Sequence, residues 1–165
     1  MMNFDKEEIA AACREYGSQI VGLPAGIDGA QLLWAISGNE SSFGANCAPR
    51  HEPAFDVGGV YGSGPVMTPL LAKFGSAASC SYGPWQVMFC NAPVAYTPNS
   101  FNSLDNATHA TVAFLNRLIA KWKPSNLVEI GECWNGGHLM NHLIPAVAAY
   151  VQQLTANYAV EMPIN

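Results

Sequence analysis

The chain has 165 residues, half of them apolar and 12% charged, with a formal net charge of -5. That length is enough for one domain, spanning 1–165, with a substantial core, and the composition excludes a disordered segment. A pI near 5.2 leaves no cationic face for nucleic acid or anionic membrane, so neither is expected as a partner.

Residues 5–16 read as a first helix, with Asp5 as N-cap, Glu8 closing a capping box, and Ile9, Cys13 and Tyr16 along one face before Gly17. A second helix begins at Asp28, with Gln31 closing its box and Leu32, Leu33 and Ile36 forming a stripe, and stops near Ser42. From 44 to 99 there are seven Gly and seven Pro, so loops and short strands are expected there. Residues 57–104 hold one charged side chain, Lys73, among many Tyr, Ser and Asn, a wall suited to a neutral polar ligand. Helical periodicity returns after Asp105 with Val112, Leu115, Ile119 and Trp122 and stops at Pro124. A box starting at Ser125 opens a short helix that meets Gly136-Gly137. A last helix carries Ile144, Val147, Val151, Leu154 and Tyr158.

The opening MMNFDKEEIA has neither the basic start nor the apolar stretch of a secretory leader, so synthesis in the cytoplasm without a signal peptide is expected. Cys13, Cys47, Cys80, Cys90 and Cys133 show no CxxC spacing; reduced thiols are expected, with a Cys80–Cys90 bridge left open.

Glu40 stands out as a candidate for chemistry. It lies four residues after Ile36 and seven after Leu33, so a regular helix brings its carboxyl out on the apolar face. Burial and the negative helix end both disfavour the ionised form and push its pKa toward a general acid's range. The competing reading is a Glu in a frayed last turn that reaches water.

Three segments in order set the context: Glu40-Ser41-Ser42-Phe43-Gly44, Tyr82-Gly83-Pro84-Trp85-Gln86-Val87-Met88, and Cys133-Trp134-Asn135-Gly136-Gly137. Together they resemble the lytic transglycosylase and goose-type lysozyme group, including the muramidases of phage endolysins. Its pattern is a catalytic Glu followed by Ser, then Gly-Leu-Met-Gln-hydrophobic-Met, then Ala-Tyr-Asn-Ala-Gly. The closing helix with Tyr150, Val151 and Tyr158 looks like that group's terminal helix, so the likeness spans about 30–158.

The resemblance implies a mainly α, α+β lysozyme-like fold, with a helical core and a small lobe of loops and short strands. It also implies cleavage of the β-1,4 MurNAc–GlcNAc bond, with the peptidoglycan glycan strand as partner. Carried over, Glu40 is the acid, and Ser41, Gln86, Met88 and Asn135 serve the groove. Trp134 departs from the group's Tyr and supplies a donor but no acceptor. Tyr61 is added as an aromatic suited to stacking on a sugar face, with core packing as the alternative reading. No metal or organic cofactor is implied, and a monomer is expected. A phage lysin or virion-carried enzyme acting on the bacterial wall suits such a chain.

In Arg50-His51-Glu52-Pro53-Ala54-Phe55-Asp56, Glu52 is the candidate for the second carboxylate that an inverting glycosidase uses as base, with Asp56 in reserve. A structural Arg50–Glu52 ion pair is the other reading, and the substrate's acetamido group then assists. Two different classes stay open. One is a peptidase or amidase using Cys133 with His138 or His142, or zinc on that histidine pair, although Leu139 stands where the zinc motif needs Glu. The other is a glycan-binding module without catalysis.

Overall fold

The computed structural model describes residues 3–140 and 143–164. Helix α1 (Lys6–Gly17) opens with the expected capping box: Glu8 N–H donates to the Asp5 side chain at 2.7 Å and Asp5 N–H to Glu8 at 3.0 Å. Helix α2 (Gly29–Ser41) is capped by Asp28, which accepts from Gln31 N–H at 2.8 Å. Gln31 does not close that box. Its amide instead donates to the Tyr158 and Val160 carbonyls at 2.7 and 2.8 Å, fastening α2 to the end of the chain.

The expected single stripe on α2 is also too narrow. Leu32 through Ile36 are all fully buried, Trp34 included, so this is a central helix sandwiched between α1 and the last helix. Closeness on the α1 side rests on glycine: a Cβ on Gly17 would lie 2.3 Å from Ala30 N, and one on Gly29 2.2 Å from the Gly17 carbonyl.

The Gly/Pro-rich stretch holds an antiparallel sheet of β1 (Arg50–His51), β2 (Cys80–Tyr82) and β3 (Val87–Met88), in that order. Arg50 faces Ser81, and Ser81 faces Met88. It also holds a helix, α3 (Met67–Phe74), that the Gly and Pro count concealed. Met67, Leu70, Leu71 and Phe74 have helical spacing. Pro69 stands at the third helical position, where its missing N–H removes a donor that has no intrahelical acceptor anyway. The lobe is held to the helices by Trp85, fully buried, whose indole N–H donates to the Leu33 carbonyl at 2.8 Å.

Helix α4 (Leu104–Trp122) buries Val112, Leu115 and Ile119 as its periodicity predicts, with Leu118 beside them. Helix α5 (Leu127–Gly136) starts one residue later than expected: Asn126 is the cap, and Ser125 instead donates through its N–H and hydroxyl to Glu129. Helix α6 (Pro145–Tyr158) packs Val147, Val151 and Leu154 inward, whereas Ile144 caps it and is exposed. The protein is thus mainly helical, with a small unclosed sheet lobe. Among the described residues no helix is long and apolar enough to cross a membrane.

Candidate active site

Between the sheet lobe and helices α4 and α5 lies a groove of about 520 Å³, and Glu40 opens into it. Helix α2 ends immediately after this residue because Ser42 and Phe43 both take left-handed backbone (φ 53° and 59°), a conformation costly for non-glycine residues. Phe43 then folds back onto Trp34, with ring centroids 4.3 Å apart. A Cβ on Gly38 would sit 2.7 Å from that Phe43 ring, so only glycine fits beneath it. Asn39, next to the acid, donates to the Tyr150 carbonyl at 3.0 Å and accepts from Asn157 at 2.7 Å. The last turn of α2 is thereby clamped to α6.

The Glu40 side chain is 7% exposed, so it does not fray into water. Its two oxygens are used differently. Oε1 accepts from Trp134 Nε1–H on α5 and from the Tyr150 hydroxyl on α6, each at 3.0 Å. Among the described residues, Oε2 meets only the tips of the Arg50 guanidinium, at 3.4 and 3.5 Å, long for charge-assisted bonds. Burial raises the Glu40 pKa above the ordinary carboxyl value, opposed by Trp134, Arg50 and Tyr150. The same burial, with the carboxylate beside it, drives the Tyr150 hydroxyl well above its normal range and keeps it a donor.

The departure at Trp134 resolves in physical terms. This position is asked only to donate, which an indole does, while a hydroxyl for the same oxygen comes from Tyr150. Tyr150 was not singled out as a site residue. The signal was present, since a tyrosine beside Val147 and Val151 on a buried face needs a partner for its hydroxyl.

Glu52 faces the groove and is also half of the ion pair: Arg50 Nε donates to its Oε1 at 2.7 Å, and the Ser81 hydroxyl lies 3.3 Å away. Asp56 lies elsewhere, paired with His51 at 2.9 Å and held by it below the usual carboxylate range.

Tyr61, Met88, Trp134 and Asn135 line the groove with Phe55 and Phe114. Tyr61 is exposed and leans on Phe55, centroids 5.0 Å apart, on a loop pinned by its N–H donating to the Ala54 carbonyl. Gln86 touches the groove, but its amide is spent inside: Nε2 donates to Gly83 and Ala48 carbonyls and Oε1 accepts from Ser81. It therefore orients Ser81 more than it offers contacts. Ser41 does not line the groove at all; its buried hydroxyl donates to Ser37 and accepts from Gly44 N–H, closing the helix end.

Cys133 is buried at the groove wall, and burial with Glu132 and Glu129 nearby pushes its thiol up to about 11. A thiol so protonated is a poor nucleophile. His138 sits in a turn beyond α5, not on a helix face, and its Nδ1 lies 2.7 Å from the Leu139 carbonyl. His142, the other half of the zinc-spaced pair, lies outside the described residues. Among those described, no three His, Cys, Asp or Glu side chains gather at metal-binding distance. All five cysteines are free, Cys80 and Cys90 included.

A larger depression, about 880 Å³, lies between α1 and the C-terminal segment, lined by Ala11, Arg14, Glu161 and Ile164. It is wide open and presents no buried titratable group, unlike the Glu40 groove. Comparison of the chain with protein-family models, with curated proteins and with solved structures finds no match.

Proposed function

We propose that the protein has a lysozyme-like fold and cleaves the β-1,4 MurNAc–GlcNAc bond of peptidoglycan, with Glu40 as the general acid. The observation that carries this reading is a single carboxyl, buried at a groove wall, held through one oxygen by two neutral donors and directed through the other into the groove. Burial favours the proton on such a group, and a leaving oxygen seated in the groove can receive it from Oε2. Protonation of the glycosidic oxygen breaks the C–O bond and leaves an oxocarbenium-like sugar. Glu40, now ionised, is supported by Trp134, Tyr150 and Arg50. Phe114, Trp134 and Tyr61 offer faces for sugar rings, and the near absence of charge from 57 to 104 suits an uncharged glycan.

Glu52 stands across Arg50 from the acid. Spanned by one guanidinium, the two carboxylates lie within about 8.5 Å of each other, inside the outer limit for a water-activating base. Arg50 and the Ser81 hydroxyl already occupy its Oε1, so the contribution of Glu52→Gln to the rate measures how far water, in place of the substrate's acetamido group, completes the reaction.

The test is digestion of purified peptidoglycan by wild type and Glu40→Gln, with released fragments weighed by mass spectrometry. Disaccharide peptides from wild type and a loss of several powers of ten in the mutant are expected. A product lighter by one water identifies a transglycosylase. Stem peptides alone, released by both proteins, would overturn the reading.

A further inference from the structure

The unequal use of the two Glu40 oxygens extends to Arg50. Its guanidinium is bonded well on one side and poorly on the other: 2.7 Å from Nε to Glu52, but 3.4–3.5 Å from the terminal nitrogens to Glu40 Oε2. The side chain is 55% exposed and rises from the two-residue edge strand β1, and the terminal nitrogens bond only to Glu40 among the described residues, at these long distances. Glu52 is fixed in turn by Ser81, whose hydroxyl is oriented by Gln86. Arg50 is therefore tethered at Nε and loose at its tip, and the tip occupies the groove side of the oxygen that must meet a leaving group.

Resting on the glycosidase reading above, we propose that Arg50 is a positioning residue that guards the Glu40 carboxyl in the empty groove. A seated glycan displaces its tip toward Glu52, opening Oε2 and arming the acid in one movement. With the cation against Oε2, the ionised form of Glu40 is favoured. With the cation drawn aside, the buried carboxyl loses its one charged partner and takes a proton from solvent. Among the described residues, no other group facing Glu40 provides such a change. Tyr150 on α6 and Trp134 on α5 are neutral donors on the opposite oxygen, and the Cys133 thiol stays protonated. Glu52, beyond Arg50, is the acceptor for the displaced charge, and His138 lies at the far rim.

The sequence "binding, then protonation" has a kinetic signature. The alkaline limb of kcat/KM reports Glu40 in the free protein and that of kcat reports it in the complex. On soluble, uncrosslinked glycan strands, wild type is expected to show the kcat limb at higher pH than the kcat/KM limb. Arg50→Gln removes the charge, so its kcat/KM limb moves up to meet the kcat limb, raising relative kcat/KM severalfold on the alkaline side. Arg50→Lys keeps the charge and keeps the limbs apart. A merely structural role would lower both rates in both variants and leave the limbs in place, and that result overturns the proposal. Carbon-13 titration of the Glu40 carboxyl in the two proteins, assigned by its loss in Glu40→Gln, reads the same shift without turnover. If that carboxyl titrates identically in wild type and Arg50→Gln while wild type cuts the glycan, Arg50 is not the guard and the glycosidase reading stands. A wild type that cuts no glycan overturns both.

Discussion

Replacing Glu40 by Gln tests the electrostatics of the site apart from any catalysis. The substitution keeps the side chain's shape and the acceptor oxygen that Trp134 and Tyr150 use at 3.0 Å, and replaces Oε2, which faces Arg50, by an NH2 group that neither ionises nor accepts. Because burial raises the folded-state pKa of Glu40, the native protein binds this proton more tightly than the unfolded chain does. Stability is therefore lost as pH rises from the unfolded value through the folded one, and the full penalty persists above it. Each unit of such a shift amounts to about 1.4 kcal/mol. Gln escapes that penalty but loses the weak Arg50 contact, which at 3.4 Å to a half-exposed cation is worth little. At pH 7–8 the variant is expected to be the more stable of the two, and each kcal/mol of that gain raises Tm by about 2–4 °C for a chain of this size. The measurement is a thermal or urea melt of both proteins from pH 3 to 8. The variant's advantage should be present at neutral pH and vanish below the ordinary carboxyl pKa. A Gln variant that is less stable at neutral pH, or a difference that does not change with pH, would refute the claim that the wild-type carboxyl is strained by burial.

Two further perturbations address the walls of the groove. Glu132 is buried on α5, and its Oε2 accepts Met140 N–H at 2.7 Å, holding a residue in left-handed backbone (φ 63°) just past the groove rim at Gly136–His138. Glu132→Ala should cost about 1.5–3 kcal/mol through the lost bond between the Met140 N–H and the carboxylate, and hydrogen exchange should accelerate at 137–140 while α2 stays protected. Cys133, with its thiol at about 11 and buried, should resist iodoacetamide in the native protein at pH 7.5 and react fully once unfolded. Rapid native alkylation with loss of glycan cleavage would return the thiol chemistry to contention.

Much of the helical frame could be read before any coordinates. Asp5-x-x-Glu8, Asp28, Pro124 and the 3.6-residue stripe of α4 are local signals, and local hydrogen bonding decides them. Helix α3 is hidden by the Gly and Pro density around the apolar spacing of 67–74, although a proline in a first turn breaks nothing. At the site, Glu40 was legible from its phase relative to Ile36 and Leu33. The roles of Ser41 and Gln86 were not, because spacing locates a polar side chain without showing whether its hydrogen bonds are already spent. Gln86, in left-handed backbone at φ 45°, turns its amide back onto Gly83 and Ala48; Ser41 turns its hydroxyl onto its own helix.

On the proposed reading, the late helices are what make Glu40 usable as an acid. A carboxyl on a buried helix end with no partners stays protonated and cannot give its proton up, because the anion left behind is unsolvated. Trp134 and Tyr150, delivered 94 and 110 residues further along the chain, lower that penalty without adding charge. A lysine or arginine in either place would hold Glu40 ionised and end its use as an acid. Neutral donors on Oε1 thus set the orientation and permit ionisation, while the one cation is kept on the exposed edge strand, against Oε2, where a ligand can move it. Charge on the exposed strand sits on the groove side and fixed neutral donors sit on the core side, an arrangement under which the proposed switch needs only the Arg50 tip to move.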